Sequence, residues 1–162
     1  MKPTYEDLVS SFFVTAVAIL LGAPVGLLWA ALAPHARIDI TAAGATFADG
    51  ASEVFVAADG WFLGITLLAG ILLGLLTWLL ARGSGPYVVV GLAVGGLVAA
   101  YVASKVGMRP HQDALRNAAA AGQQGRYVAN VALQAWQVLL AWPIAALGAF
   151  LTLVAARPDE VA

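Results

Sequence analysis

Four long stretches of this sequence contain no charged residue: Val9 to Leu32 (24 residues), Gly60 to Ala81 (22), Tyr87 to Ser104 (18) and Val128 to Ala156 (29). The hydrocarbon core of a bilayer is about 30 Å thick, and a helix needs about 20 apolar residues to cross it. A water-soluble fold is a poor alternative. Of 162 residues, 62% are hydrophobic and only 10% charged, too few polar side chains to clothe a surface of that size. The expected fold is therefore all-α and membrane-embedded. It is a four-transmembrane-helix bundle forming a single membrane domain over residues 1–162, with helices at about 9–32, 60–81, 87–104 and 128–156. The bilayer itself is the first partner of such a chain.

The first run is too long for a cleaved leader's apolar core, and Glu6 and Asp7 stand where a leader is positive, so a retained helix is expected. Pro24, between Gly22 and Gly26, predicts a kink in it, and Pro143 predicts another in the fourth helix. In the fourth run Asn130, Gln134 and Gln137 precede the purely apolar part, so its buried portion is placed nearer 135–156.

The connections differ in length. Arg82-Gly-Ser-Gly-Pro86 is a tight turn that makes helices 2 and 3 an antiparallel hairpin, while residues 33–59 and 105–127 form two long loops on one side. In the first loop Arg37-Ile-Asp-Ile-Thr41 alternates polar and apolar, the period of a half-buried strand. Glu53-Val-Phe-Val is rich in strand formers, and Ala48-Asp49-Gly50 between them carries a hairpin-turn signal. A small extracytoplasmic β-hairpin between helices 1 and 2 is expected, at about 37–42 and 52–57. Asp59 is placed to cap helix 2, Trp61 suits an interfacial aromatic, and residues 112–121 read as a short surface helix.

Charge gives a divided answer on orientation. Lys2, Arg82 and Arg157 share one side, against Arg37, Lys105, Arg109, Arg116 and Arg126 on the other, which opposes the positive-inside rule. The first long loop is nevertheless acidic (Asp39, Asp49, Glu53 and Asp59), and the tight loop reads as a cytoplasmic turn. The expectation is a multi-pass protein of the inner (plasma) membrane with both termini in the cytoplasm.

Gly26-Leu-Leu-Trp-Ala-Ala-Leu-Ala-Pro34, Ile38-Asp-Ile-Thr-Ala-Ala-Gly-Ala45 and Ala57-Ala-Asp-Gly-Trp-Phe62, followed by the Gly-rich helices, carry a resemblance. The chain resembles an uncharacterised four-helix integral membrane family of actinobacteria, a domain of unknown function sometimes labelled a transporter permease. In such relatives the turn after helix 2 is more basic, which implies termini inside; this chain has Arg82 alone there. The resemblance implies no reaction and no catalytic residues.

The chemistry-bearing residues are sparse. With 8 Lys and Arg against 9 Asp and Glu there is no basic excess for nucleic acid, and with no Cys there is no thiol or iron–sulfur chemistry. No ionisable residue falls well inside the expected spans, and no nucleophile-elbow, zinc-protease or phosphate-loop motif is present. His35, His111 and Asp113 fall short of a zinc site, and Asp49 and Glu53 read as a solvated loop. No enzyme, cofactor or metal is expected.

Asn130, Gln134 and Gln137 at i, i+4 and i+7 form one helical face, either a polar cavity lining or a face projecting beyond the bilayer. The pairs Gly22/Gly26, Gly60/Gly64, Gly70/Gly74 and Gly91/Gly95 permit close helix packing, within the bundle or in a homo-oligomer. A lone hairpin is marginal in water. Ile38, Ile40, Phe47, Val54, Phe55 and Trp61 are therefore the expected interaction residues, and a protein partner in the cell envelope is the expected occupant. The leading expectation is an accessory, scaffold or assembly subunit. The alternative is a small transporter component for an apolar or zwitterionic solute.

Overall fold

The computed structural model describes residues 5–47, 50–81, 86–110, 112–129 and 131–156. Along the chain these form α1 (Tyr5–Leu32), β1 (Arg37–Thr41), β2 (Gly44–Phe47), α2 (Ala51–Leu80), α3 (Tyr87–Gly107), α4 (Gln112–Ala120), β3 (Gly125–Val128), a 3-10 segment (Trp136–Leu140) and α5 (Ala141–Ala155). Four helical stretches are long and apolar enough to cross a membrane: Asp7–Leu32, Ser52–Leu80, Tyr87–Gly107 and Trp136–Ala155.

The four long helices pack as two tight pairs. α1 lies chiefly on α3 and α2 on α5, while α3 and α5 join the pairs and α1 touches α2 lightly. Lipid tails are as apolar as leucine, so pairing inside a bilayer depends on close fit and hydrogen bonds between helices. Small residues supply that fit. A Cβ on Gly22 would stand 2.7 Å from the Ala99 carbonyl oxygen, and one on Gly26 would run into the backbone of Ala103. Gly91 and Gly95 repeat the arrangement against Ser11 and Thr15, and Gly70 and Gly74 against α5 at Trp142 and Ala146. Gly96 meets Pro143, which holds the two pairs together. Hydroxyls add bonds between α1 and α3: Ser11 donates to the Tyr87 carbonyl (3.0 Å) and Thr15 lies 3.2 Å from the Gly91 carbonyl. Three of the four Gly-x-x-x-Gly pairs thus serve internal packing. Around Gly60 and Gly64 a Cβ would meet nothing within 4 Å.

The two prolines act differently. Pro24 sits inside α1, which continues through it. Its ring lacks the N–H that would reach the Leu20 carbonyl. Pro143 is the third residue of α5, just after the 3-10 segment passes into α-helix. The last span changes from 3-10 to α winding at Ala141, two residues before Pro143, within one continuous helical stretch from Trp136 to Ala155.

A three-stranded sheet of order β2-β1-β3 caps the end where the long loops lie. The expected hairpin is found between helices 1 and 2, with a different second strand. β1 pairs with residues 44–47, antiparallel, with Thr41 opposite Gly44. The turn falls at Ala42-Ala43, closed by the Thr41 hydroxyl donating to the Gly44 carbonyl (3.0 Å), and Gly44 takes the positive φ of 128° there. Residues 52–57, expected as a strand, form the first turns of α2. Gly50, at φ 81°, caps that helix, and its carbonyl accepts from the amides of Glu53 and Val54. The Asp-Gly signal therefore marks a helix start, with Asp49 itself outside the described residues. α2 spans 30 residues, about 45 Å at about 1.5 Å each, which exceeds a bilayer core. About 20 of these residues would suffice to cross such a core, so a membrane-spanning α2 would leave about ten residues outside it.

Gly26→Leu should break the α1–α3 pair, with a loss of about 1–3 kcal/mol or more for forced overpacking. Gly64→Leu, on an open face, should leave the fold within about 0.5 kcal/mol. Thermal unfolding of the purified variants in detergent reads the difference, and equal losses would refute the packing assignment.

Candidate functional site

The sheet, the first turns of α2 and the segment before α5 form one cap, held by a buried cluster at its base. Trp29 of α1 is fully buried. Its indole Nε1 donates to the Ala58 carbonyl of α2 (2.8 Å), and its ring meets Phe62 edge-on (centroids 4.9 Å apart). Gly107 of α3 lies directly against that indole. Asp59 was expected to cap helix 2. It lies instead in the third turn of α2, 9% exposed, and reaches across to a different segment. One carboxylate oxygen accepts from the Gln134 amide (3.1 Å) and the other from the Ala135 amide (2.9 Å). Residues 131–135 are not helical, so these N–H groups have no helical partner and Asp59 satisfies them from outside. A buried carboxylate next to an apolar core is thus present, engaged in holding backbone.

Above this cluster the sheet is two-faced. Ile38 stands opposite Phe47 of β2 and Tyr127 of β3, and Ile40 opposite Ala45 and Gly125. Directly paired residues share a face, so Ile38, Ile40, Phe47 and Tyr127 form an apolar side. Phe47 meets Phe55 of α2 edge-on (5.5 Å), which seats this side on the first turns of α2. The opposite side is polar. Arg126 Nε donates to Asp39 Oδ1 at 2.8 Å and Nη2 to Oδ2 at 3.4 Å. That hydrogen bond, reinforced by the positive charge of Arg126 and of Arg37, holds the Asp39 carboxyl below its ordinary range.

The expected interaction residues divide accordingly. Ile38, Ile40, Val54 and Phe55 are half-buried, whereas Phe47 remains 55% exposed. Trp61, 47% exposed, lies apart from the sheet in a groove of about 610 Å³ that it shares with Leu28, Leu32, Ala57, Gly60 and Gly64. The expected polar face does not form as a helix: Asn130 lies outside the described residues, residue 134 is in the extended segment, and 137 is in the 3-10 segment. Gln134 and Gln137 are exposed. His35 is half-buried, His111 lies outside the described residues, and among the described residues no three His, Asp or Glu gather as a metal site.

Sequence reasoning missed β3, Tyr127 and the Asp39–Arg126 pair. The signal was short but present: Arg126-Tyr-Val128 is a strand-forming run between Gly125 and Ala129. A second groove, about 530 Å³ and apolar, opens between α1 and α2 at the far end, lined by Val9, Phe13, Val17, Leu73, Leu76 and Leu80 among others.

Asp59→Ala should leave two part-buried N–H groups without their acceptor, at a cost of about 1 kcal/mol or more. Asp59→Asn retains one acceptor oxygen and should lose less. Amide hydrogen exchange at Gln134 and Ala135 should accelerate in the order wild type, Asn, Ala; unchanged exchange in the Ala variant would rule the clamp out.

No family model matches the chain, and no solved structure matches it. The chain is similar to an uncharacterised protein of Mycobacterium leprae (strain TN), 36% identical over 91 residues, which are 53% of this chain and 46% of that protein. The match therefore spans about half the length of this curated relative. It places a distant homologue in an actinobacterium and carries no activity with it.

Proposed function

We propose that the chain is a non-enzymatic, multi-pass protein of the plasma membrane that acts as an accessory, scaffold or assembly subunit of a cell-envelope complex. In this reading it belongs to the four-helix actinobacterial family it resembles. The observation that carries the reading is the cap. Phe47 is 55% exposed and Val56 71% exposed, on elements that would stand beyond the hydrocarbon core if the rest of α2 spans it. Exposed apolar groups in that position favour a protein surface as their cover. Ile38, Ile40, Val54 and Phe55 are the half-buried residues of this cap, and Trp61 stands apart from it in its own groove.

Self-association belongs to the same reading. The open Gly60/Gly64 face is where a second copy would approach, the other three Gly pairs being occupied within the chain. A second reading, a small transporter component, draws support from the apolar groove between α1 and α2. That groove suits an apolar solute. Gln134 and Gln137 are not among its lining residues, so they give the zwitterionic version no support.

The docking reading is tested by purifying tagged protein from native membranes in mild detergent. A stoichiometric partner should follow the wild type and be reduced at least tenfold by Phe47→Asp, a change at an exposed site that leaves the helices intact. Retention of every partner by the variant would sink the docking reading. Loss of apolar-solute uptake in a deletion strain, with no partner found, would favour the transporter reading.

Orientation is tested separately, and the absence of native Cys makes the test clean. With both termini in the cytoplasm, a membrane-impermeant maleimide on intact cells should label Thr46→Cys and spare Ser84→Cys. The reverse pattern would invert the topology.

A further inference from the structure

The outward face of α3 changes character once along its length. Val90, Val94, Leu97 and Tyr101 recur at helical spacing and are 57%, 50%, 44% and 54% exposed. Lys105 follows one turn later, with its ammonium 5.4 Å from the centre of the Tyr101 ring. Arg109 comes four residues further on, in the turn that closes the helix, where its amide donates to the Val106 carbonyl. Both basic side chains are exposed. Among the described residues neither has a carboxylate partner; the ion pair at this end joins Arg126 to Asp39. α1 and α5 pack on other sides of α3 and leave this stripe open.

We infer that this stripe seats one anionic phospholipid of the leaflet on the sheet's side, with an acyl chain along Val94 and Leu97 and the phosphate against Lys105 and Arg109. The inference rests on the membrane reading and is independent of the docking role of the sheet. Charge complementarity carries it. Two cations with no carboxylate partner among the described residues stand where an apolar helix face ends, and a phospholipid has the same polarity profile. The dimensions agree. Val94 to Lys105 rises about 16 Å at about 1.5 Å per residue, about half of a 30 Å core and thus the depth of one leaflet. The Tyr101 ring holds the ammonium by a cation–π contact at the level where aromatic residues favour the interface. Arg109 adds a planar donor fork suited to phosphate oxygens.

The test is native mass spectrometry of the purified full chain titrated with phosphatidylglycerol or phosphatidylcholine. The wild type should retain phosphatidylglycerol selectively. Lys105→Ala with Arg109→Ala should weaken that retention about tenfold or more and abolish the selectivity. Arg37→Ala with Arg116→Ala, basic residues at the same end, should leave it unchanged. If the alanine pair lowers the unfolding temperature, Lys105→Gln with Arg109→Gln replaces it. Equal retention of both lipids by the wild type would overturn the inference, as would undiminished retention by the double variant. Equal loss in the Arg37/Arg116 control would reduce the site to diffuse charge. If the protein proved extractable from membranes by carbonate, the membrane reading would have failed instead, a result distinct from loss of lipid selectivity.

Discussion

Helices in an apolar solvent gain little by hiding apolar side chains from one another, so they must fit each other better than lipid fits them. In this chain that fit comes from backbone meeting backbone. Gly22 and Gly26 lie on Ala99 and Ala103, and Gly70 and Gly74 on Trp142 and Ala146. Each contact is close enough that a methyl group would not fit. The architecture of two tight pairs joined at Gly96 and Pro143 follows from where these glycines fall. So does the apolar groove left between α1 and α2, which have no such contact of their own.

The pairs alone would not fix the end of the bundle that carries the long connections. There the chain uses polar groups sparingly, each answering a specific backbone need. The Trp29 indole bonds the Ala58 carbonyl, and the Asp59 carboxylate takes both amides of the Gln134-Ala135 stretch. Adjacent residues of α2 thus receive α1 on one side and the start of the last span on the other. An unpaired buried N–H costs about as much as a lost hydrogen bond. A non-helical approach to a span is therefore tolerable only where such an acceptor waits.

What could be read from sequence follows the range over which each signal acts. The four spans were legible because absence of charge over about 20 residues is a local property with few alternatives. The position of β1 was legible from the alternation in Arg37-Ile-Asp-Ile-Thr41. The partner strand was not, since Glu53-Val-Phe-Val satisfies strand propensity while continuing directly into an apolar helix, and helix periodicity won. The Asp-Gly dipeptide marked a real change of direction, with the type of turn decided by what followed it. The last span begins at Trp136, where the end of the polar set Asn130, Gln134 and Gln137 had placed its buried portion; the non-helical approach to it, held by Asp59 about 75 residues away in the chain, was not legible. The candidate interaction residues were partly legible: Phe47 and Phe55 do meet, whereas Trp61 belongs to a different groove, and Tyr127 entered through a strand that only long-range pairing creates.

That long-range pairing has a consequence for the order of assembly. β1 follows α1, whereas β3 precedes the last span, and the pair they form is sealed by Arg126 and Asp39, 87 residues apart. A chain made from its N-terminus completes β1 and β2 first, as a bare two-stranded ribbon, which is marginal alone. The third strand becomes available only after α2 and α3 have been made. Closure of the sheet is then a late event that registers the arrival of the fourth span. Until it occurs, the exposed edge of β1 is the part of the nascent molecule most open to a chaperone or to mispairing.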